Sequence, residues 1–226
     1  MTSELLKDII KWDILNWSKA LDFWSNHVDL DNKNFECLEL GGCEGGLSLW
    51  LAMKGNRVIC SDLELPKAAA SNIHKKYACN NWIDYQAIDA TNIPYEKHFD
   101  VIAFKSILGG IGRRNNALKK ATIEEIHKAL KQNGVLLFAE NLEASFIHKF
   151  FRKHFVSWGN DWNYLKYQEI DGLFSSFKKI SYITVGFTAA FGRNEQQRML
   201  LGKFDRLLDY VIPSQRRYIL IGIAEK

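Results

Sequence analysis

The run from Cys37 to Ser48, Cys-Leu-Glu-Leu-Gly-Gly-Cys-Glu-Gly-Gly-Leu-Ser, constrains the fold more than any other stretch of the chain. A short apolar segment, Glu36–Leu40, enters a turn with four glycines in six positions and leaves it as an apolar helical stretch. Glycine has no Cβ, so such a turn can be tight and its backbone can lie against a bound molecule. Glu39, near the strand end, can hold a cationic or donor group. A dinucleotide fingerprint G-x-G-x-x-G would put glycines at 41, 43 and 46. Position 43 is Cys, and more than thirty residues precede the strand, which argues against a nicotinamide-dependent reductase. A tight turn with no ligand remains an alternative reading of the glycines alone.

Around this turn the hydrophobic pattern alternates. Strand-like runs fall at Glu36–Leu40, Arg57–Ser61, Trp82–Ala87, Phe99–Phe104, Gly134–Ala139, Ile180–Phe187 and Tyr218–Ala224. Helix-like stretches lie between them at 45–54, 66–78, 116–132 and 193–211, the third expected to end at Asn133-Gly134. This alternation predicts an α/β fold, a parallel sheet with helices on both faces. Residues 3–27 carry Leu5, Ile9, Trp12, Trp17, Leu21 and Trp24 at helical spacing and predict one or two amphipathic helices. The 226 residues suffice for one domain, without repeat or low-complexity linker. Residues 1–30 are expected as an N-terminal helical cap. The segment 142–179, rich in Phe, Trp, His and Lys, interrupts the alternation after the fifth strand. Ligands of open α/β sheets bind beyond the carboxyl ends of the strands, so that segment is expected to cap a substrate pocket.

The second strand-like run, Arg57–Ser61, is followed by Asp62, 23 residues after Glu39, close to one β-α-β unit. A carboxylate there can accept both hydroxyls of a ribose. A third segment, Tyr85-Gln86-Ala87-Ile88-Asp89-Ala90-Thr91-Asn92-Ile93-Pro94, precedes the run Phe99–Phe104. With Lys131-Gln132-Asn133-Gly134-Val135 through Glu140, these landmarks resemble, in order and spacing over residues 36–141, the class I S-adenosylmethionine-dependent methyltransferases. The resemblance departs from the family pattern at Cys43, where glycine is commoner. It implies a Rossmann-like seven-stranded mixed sheet, six strands parallel and the last antiparallel. It also implies S-adenosyl-L-methionine as cofactor. Glu39, Gly41, Gly42 and Gly45 would then line its methionine and ribose portion. Asp62 would bind the ribose hydroxyls, Leu63 would pack on adenine, and Asp89 and Ala90 would meet the adenine edge. Phe104 and Lys105 would lie beside the sulfonium.

Methyl transfer from a sulfonium needs a positioned nucleophile and the exclusion of water. For an oxygen acceptor a general base helps, and His148 and Glu140 are the candidates near the end of the fifth strand. Arg113 and Arg114, after Gly109–Gly112, could grip a phosphate or carboxylate of the substrate, and Trp158 could pack on it. Trp12, Trp17 and Trp24 could clamp a cation, although their spacing also suits plain core packing. The expected acceptor is a small molecule, presented to oxygen or nitrogen transfer, such as a carbohydrate or secondary-metabolite intermediate.

The net charge of +4 is spread in doublets and predicts no nucleic-acid footprint. The chain lacks the Asn-Pro-Pro-Tyr motif of amino-methylating DNA enzymes and an appended RNA-binding module. A nucleic-acid or protein methyltransferase, and a non-catalytic cofactor-binding partner subunit, are the alternatives. No His, Cys or carboxylate cluster has metal-ligand spacing, so no metal is expected. Cys37, Cys43, Cys60 and Cys79 form neither a zinc pattern nor a disulfide framework and read as small buried hydrophobes. Without a signal-like or membrane-spanning run, the protein is expected in the cytoplasm, as a monomer or homodimer.

Overall fold

In a computed structural model, which describes all residues except Lys67, Arg114 and 157–161 and the side chains of 68 and 69, seven strands form one sheet. They are β1 (Glu36–Leu40), β2 (Arg57–Asp62), β3 (Ile83–Ala87), β4 (Phe99–Lys105), β5 (Leu130–Asn141), β6 (Lys179–Val185) and β7 (Ile219–Glu225). The order across the sheet is β3-β2-β1-β4-β5-β7-β6. Strands β1 to β5 pair in parallel, and β7 pairs antiparallel with both β5 and β6. Only β7 therefore runs against the other six, which is the expected mixed sheet.

The central strands are apolar on both sides because both faces are covered. Successive side chains alternate between faces, so Cys37, Val101, Ala103 and Leu137 enter one core and Leu38, Ile102, Phe104 and Phe138 the other. The first core is closed by α1 (Ser3–Ile10), α2 (Ile14–Trp17), α3 (Lys19–His27), α4 (Gly46–Met53) and α5 (Ala68–Lys76). The second is closed by α6 (Leu108–Ile111), α7 (Ala117–Ala129) and α9 (Ile170–Leu173). Helices α8 (Phe146–Phe155) and α10 (Glu195–Leu208) flank the far end of the sheet. Thr2 caps α1 by accepting the Leu5 N–H, and Asn194 caps α10 by accepting that of Gln197.

Two boundaries depart from the sequence reading. The N-terminal segment forms three helices, and positive φ at Lys11 and Asp13 separates the first from the second. Helix α7 ends at Ala129, not at 132. Leu130 already pairs with Phe99, and the register then shifts so that Val135 opposes Val101. Asn133, at φ +65°, is thus a bulge within β5 rather than a helix cap.

Trp17 and Trp24 are fully buried, and Trp24 Nε1 donates to the Gly222 carbonyl. Cys37, Cys60 and Cys79 are buried, while Cys43 is exposed in the glycine turn. Among the described residues, no helix is long and apolar enough to cross a membrane.

Candidate active site

Strand β1 lies between β2 and β4, and the chain passes to opposite sides of it, which opens a crevice beyond its carboxyl end. The glycine turn sits there. Gly41 takes φ +65°, and a Cβ on it would run into the Ile107 side chain, so any larger residue here is strained. Glu39, buried at the end of β1, turns back to the start of α4. Its Oε1 accepts the Leu47 N–H at 3.1 Å, and its Oε2 accepts the N–H and hydroxyl of Ser48 at 2.7 and 2.5 Å. The N-cap residue, Gly45, has no side chain to do this, so the carboxylate saturates donors that the helix leaves open. Burial pushes the Glu39 carboxyl above its ordinary range, against those hydrogen bonds. Gly45 itself is packed under His74, whose Nε2 donates to the Gly45 carbonyl at 2.8 Å. It lies beside the clefts rather than in them.

Two clefts open from the turn. The first, about 540 Å³, is bordered by Asp62, Leu63, Asp89, Ala90 and Ile107. Asp62 Oδ2 accepts the Cys43 N–H at 2.9 Å and Oδ1 accepts the Leu63 N–H at 2.7 Å. A carboxylate offers roughly four acceptor positions, so two remain for hydroxyl groups of a ligand. Asp89 Oδ1 accepts the Thr91 N–H and hydroxyl at 2.8 and 2.7 Å, leaving Oδ2 for another donor. Leu63 is 69% exposed, an apolar side chain with no covering partner at the cleft wall.

The second cleft, about 330 Å³, is bordered by Trp12, Glu39, Gly41, Gly42, Cys43 and Lys105. Gly41 and Ser106 border both clefts, which meet there. Lys105 Nζ donates to the Ile10 carbonyl at 3.3 Å and stands 5.2 and 6.0 Å from the ring centres of Trp17 and Trp12. Burial brings its pKa down to about 8, offset in part by Glu39 and Glu140. Phe104, one residue earlier, points to the opposite face of β4 and packs 6.1 Å from Phe138 in the second core, away from both clefts.

This arrangement has known counterparts. Residues 38–138 match the family model described as a methyltransferase domain. That stretch is similar to a methyltransferase domain. Its fold is shared with solved structures at low identity. Phosphoethanolamine N-methyltransferase 2 of Haemonchus contortus, in complex with phosphomonomethylethanolamine and S-adenosylhomocysteine, superposes with a TM-score of 0.63 at 16% identity. That match covers 93% of this chain and 52% of the other, so the chain spans about half of that enzyme. An S-adenosylmethionine-dependent methyltransferase of Methanosarcina mazei gives 0.61 at 14% identity, covering 90% and 96%. The [4+2]-cyclase SpnF gives 0.62 at 15% identity, covering 92% and 80%. One fold thus carries more than one reaction. A search of curated protein sequences finds no match.

Of the residues named from the sequence, the structure brings Glu39, Gly41, Gly42 and Lys105 to one cleft and Asp62, Leu63, Asp89 and Ala90 to the other. The expected bases lie elsewhere. His148 is buried, its Nε2 donating to the Phe187 carbonyl and its Nδ1 accepting from the Ser145 hydroxyl, each at 2.8 Å. Burial lowers its pKa to about 4, and both nitrogens are occupied. Glu140 accepts the N–H groups of Leu108 and Asn141 at 2.7 and 2.9 Å, and so caps the short helix α6. Burial raises it to about 7, but it borders none of the three cavities described in this section. Arg113 lies exposed after α6, outside these cavities too. Trp158 and Arg114 fall outside the described residues.

A third cavity, about 390 Å³, lies on the other side of Trp12, which borders it and the second cleft alike. Its walls include Asn141, Arg152, Tyr164, Arg193, Arg198 and Tyr218. The sequence reading did not single these residues out. They come from six separate elements and loops, and no spacing connects them.

Proposed function

We propose that this protein transfers the methyl group of S-adenosylmethionine to an oxygen or nitrogen of a small molecule, held in the cavity beyond Trp12. The observation that carries this reading is the meeting of two clefts at Gly41 and Ser106, with Trp12 between them and a third cavity. The donor set suits the cofactor. Asp62 has two acceptor positions open for ribose hydroxyls, Leu63 gives adenine an apolar surface, and Asp89 Oδ2 faces the position of an amino group. Gly41 keeps the space a Cβ would otherwise force on Ile107.

When bound, the cofactor supplies a methyl group already activated on sulfonium sulfur. The protein's share is positioning and exclusion of water. Helices α1 and α2 (within the N-terminal cap at 1–30) and the segment 142–179 would frame the acceptor. Trp12 would form the wall past which its nucleophile reaches the donor. Lys105 is a buried titratable group in this cleft, beside Trp12 and Trp17. Its pKa of about 8 lies near the working range of a general base, and a sulfonium in the same cleft would lower it further. We assign to it the acceptance of the acceptor's proton, the role first expected of His148 or Glu140. The acceptor belongs to the carbohydrate or secondary-metabolite classes, and the protein acts as a monomer or homodimer. A cytoplasmic setting suits the unpaired thiols Cys37, Cys60 and Cys79.

Calorimetric titration with S-adenosylhomocysteine and with NADH, on wild type and Asp62→Ala, tests the reading. Micromolar binding of S-adenosylhomocysteine, lost in the variant, supports it. No binding of S-adenosylhomocysteine overturns it, and binding of NADH instead replaces it with a reductase.

A further inference from the structure

The cavity beyond Trp12 is cationic. Arg152, Arg193 and Arg198 border it, and no Asp or Glu does. Arg152 is buried, its guanidinium stacked 3.9 Å from the centre of the Tyr164 ring. Its Nη1 donates to the Leu142 and Glu143 carbonyls at 2.8 and 3.2 Å, which holds the group in place without neutralising it. Among the described residues, no carboxylate lies within ion-pairing distance of Arg152 or Arg193. Arg198 has Glu195 at 3.9 Å and also feels the carboxyl of Asp13, which burial raises to about 7. Both Glu195 oxygens are already taken, at 2.8 Å each, by the N–H groups of Asp13 and Ile14.

A second observation is independent of charge. Tyr164 Oη, at the same cavity, is shielded from solvent and has no hydrogen-bond partner. A buried hydroxyl left unpaired costs about 1–3 kcal/mol unless something enters to pair with it. Trp12, Phe151, Phe155 and Tyr218 add aromatic surface to the wall, beside Asn141. Three guanidinium groups lacking strong counter-charges, an unpaired hydroxyl and flat apolar walls describe the complement of one kind of molecule. Guanidinium forks match carboxylate and phosphate oxygens and stack on planar groups.

We propose that this cavity recognises the carboxylate or phosphate of a small acceptor with a flat, apolar body. Arg152, Arg193, Arg198 and Tyr164 would hold the anion, and the aromatic walls would direct the other end of the molecule past Trp12. The proposal rests on the methyl-transfer reading for the word acceptor, but its binding chemistry stands on the cavity alone.

Saturation-transfer NMR and calorimetry with phenyl phosphate, benzoate and the neutral benzamide test it. They are applied to wild type, Arg193→Gln/Arg198→Gln and Tyr164→Phe, each with and without saturating S-adenosylhomocysteine. The expected result is binding of an anionic probe and not of benzamide. Loss of the two arginines weakens it about tenfold or more, with a smaller loss in Tyr164→Phe. A preference for phenyl phosphate assigns the acceptor to the phosphate esters, and a preference for benzoate to the carboxylates. Equal binding of benzamide, or affinities unchanged in both variants, overturns the proposal. So does an absence of all three probes from protein that binds S-adenosylhomocysteine. Anionic probes bound by protein that fails to bind S-adenosylhomocysteine would instead keep the anion site and remove the methyl-transfer reading. S-adenosylhomocysteine affinity and melting temperature, measured on each variant, report that the fold is intact.

Discussion

Asn141 Nδ2 donates to Ser106 Oγ at 2.5 Å, which ties the end of β5 to the residue where the two clefts meet. Asn141 also borders the arginine-lined cavity, so this one bond links the clefts to that cavity. Ser106 is held at φ +58° with its N–H donated to the Ala139 carbonyl at 2.8 Å. Its backbone conformation is one that non-glycine residues seldom adopt, and the surrounding bonds hold it there.

The pair should therefore behave as a unit. In a double-mutant cycle of Ser106→Ala and Asn141→Ala, S-adenosylhomocysteine affinity measured by calorimetry is expected to show a coupling of about 1 kcal/mol. Additive losses would mean that the bond does not organise the cleft.

Lys105 makes the binding of S-adenosylmethionine depend on pH. Its ammonium is disfavoured by burial and loses its proton near pH 8. Below that pH it repels the cofactor's sulfonium, and above it the repulsion is gone. The affinity of S-adenosylmethionine relative to the uncharged-sulfur product should rise severalfold from pH 7 to pH 9. Lys105→Met, which keeps the apolar stem among Trp12 and Trp17, should abolish that rise. A ratio that stays flat in wild type would remove Lys105 from the sulfonium's surroundings.

Gly41→Ala is expected to cost about 1–3 kcal/mol of stability and to weaken S-adenosylhomocysteine by tenfold or more. The new methyl group meets Ile107 at a positive φ that alanine resists. Denaturant unfolding and calorimetry read the two effects. Gly45→Ala should be similarly destabilising, since its Cβ would meet His74, but with less effect on ligand affinity.

Asp13 gives the fold a pH dependence of its own. It is buried against the Tyr218 hydroxyl, with Asp205 and Glu195 nearby, and burial raises its carboxyl from 3.8 to about 7. Between those values the native protein holds a proton that the unfolded chain has released. Stability from this group is therefore full below pH 3.8 and falls as pH rises towards 7. Glu140, raised from 4.5 to about 7, acts in the same direction. Unfolding free energy should fall by about 1–3 kcal/mol between pH 4.5 and 7. Asp13→Asn, which tolerates the positive φ at this position, should flatten part of that slope. A wild-type stability that rises over this interval would contradict the assignment.

That Glu39, Gly41, Asp62 and Asp89 would gather beyond the strand ends was legible in the sequence because these positions are set locally. Glu39, Gly41, Asp62 and Asp89 each lie at or within two residues of a strand's carboxyl end. A parallel sheet brings successive strand ends to one edge whatever the intervening helices contain. The alternation of apolar runs therefore carried both the sheet and the place of the cleft. Local reading failed where burial decides. His148 has the residue type of a base, but the carbonyl of Phe187 and the hydroxyl of Ser145, met only on folding, occupy both its nitrogens. Glu140 ends a strand as Glu39 does, yet the N–H groups of Leu108 and Asn141 turn it into a cap. Phe104 and Lys105 are neighbours in sequence, and the two-residue period of the strand sends one to the core and the other to the cleft.

The arginine-lined cavity lies beyond sequence reasoning altogether. Trp12, Asn141, Arg152, Tyr164 and Arg198 are separated by up to 186 positions and share no motif. What the sequence determined by itself is the sheet, the glycine turn and the carboxylates at its edge, because these depend on period and spacing along the chain. The tertiary structure alone decided which side chains face one another across the acceptor side, because those contacts are set by how α2, α8 and α10 pack at the end of the sheet.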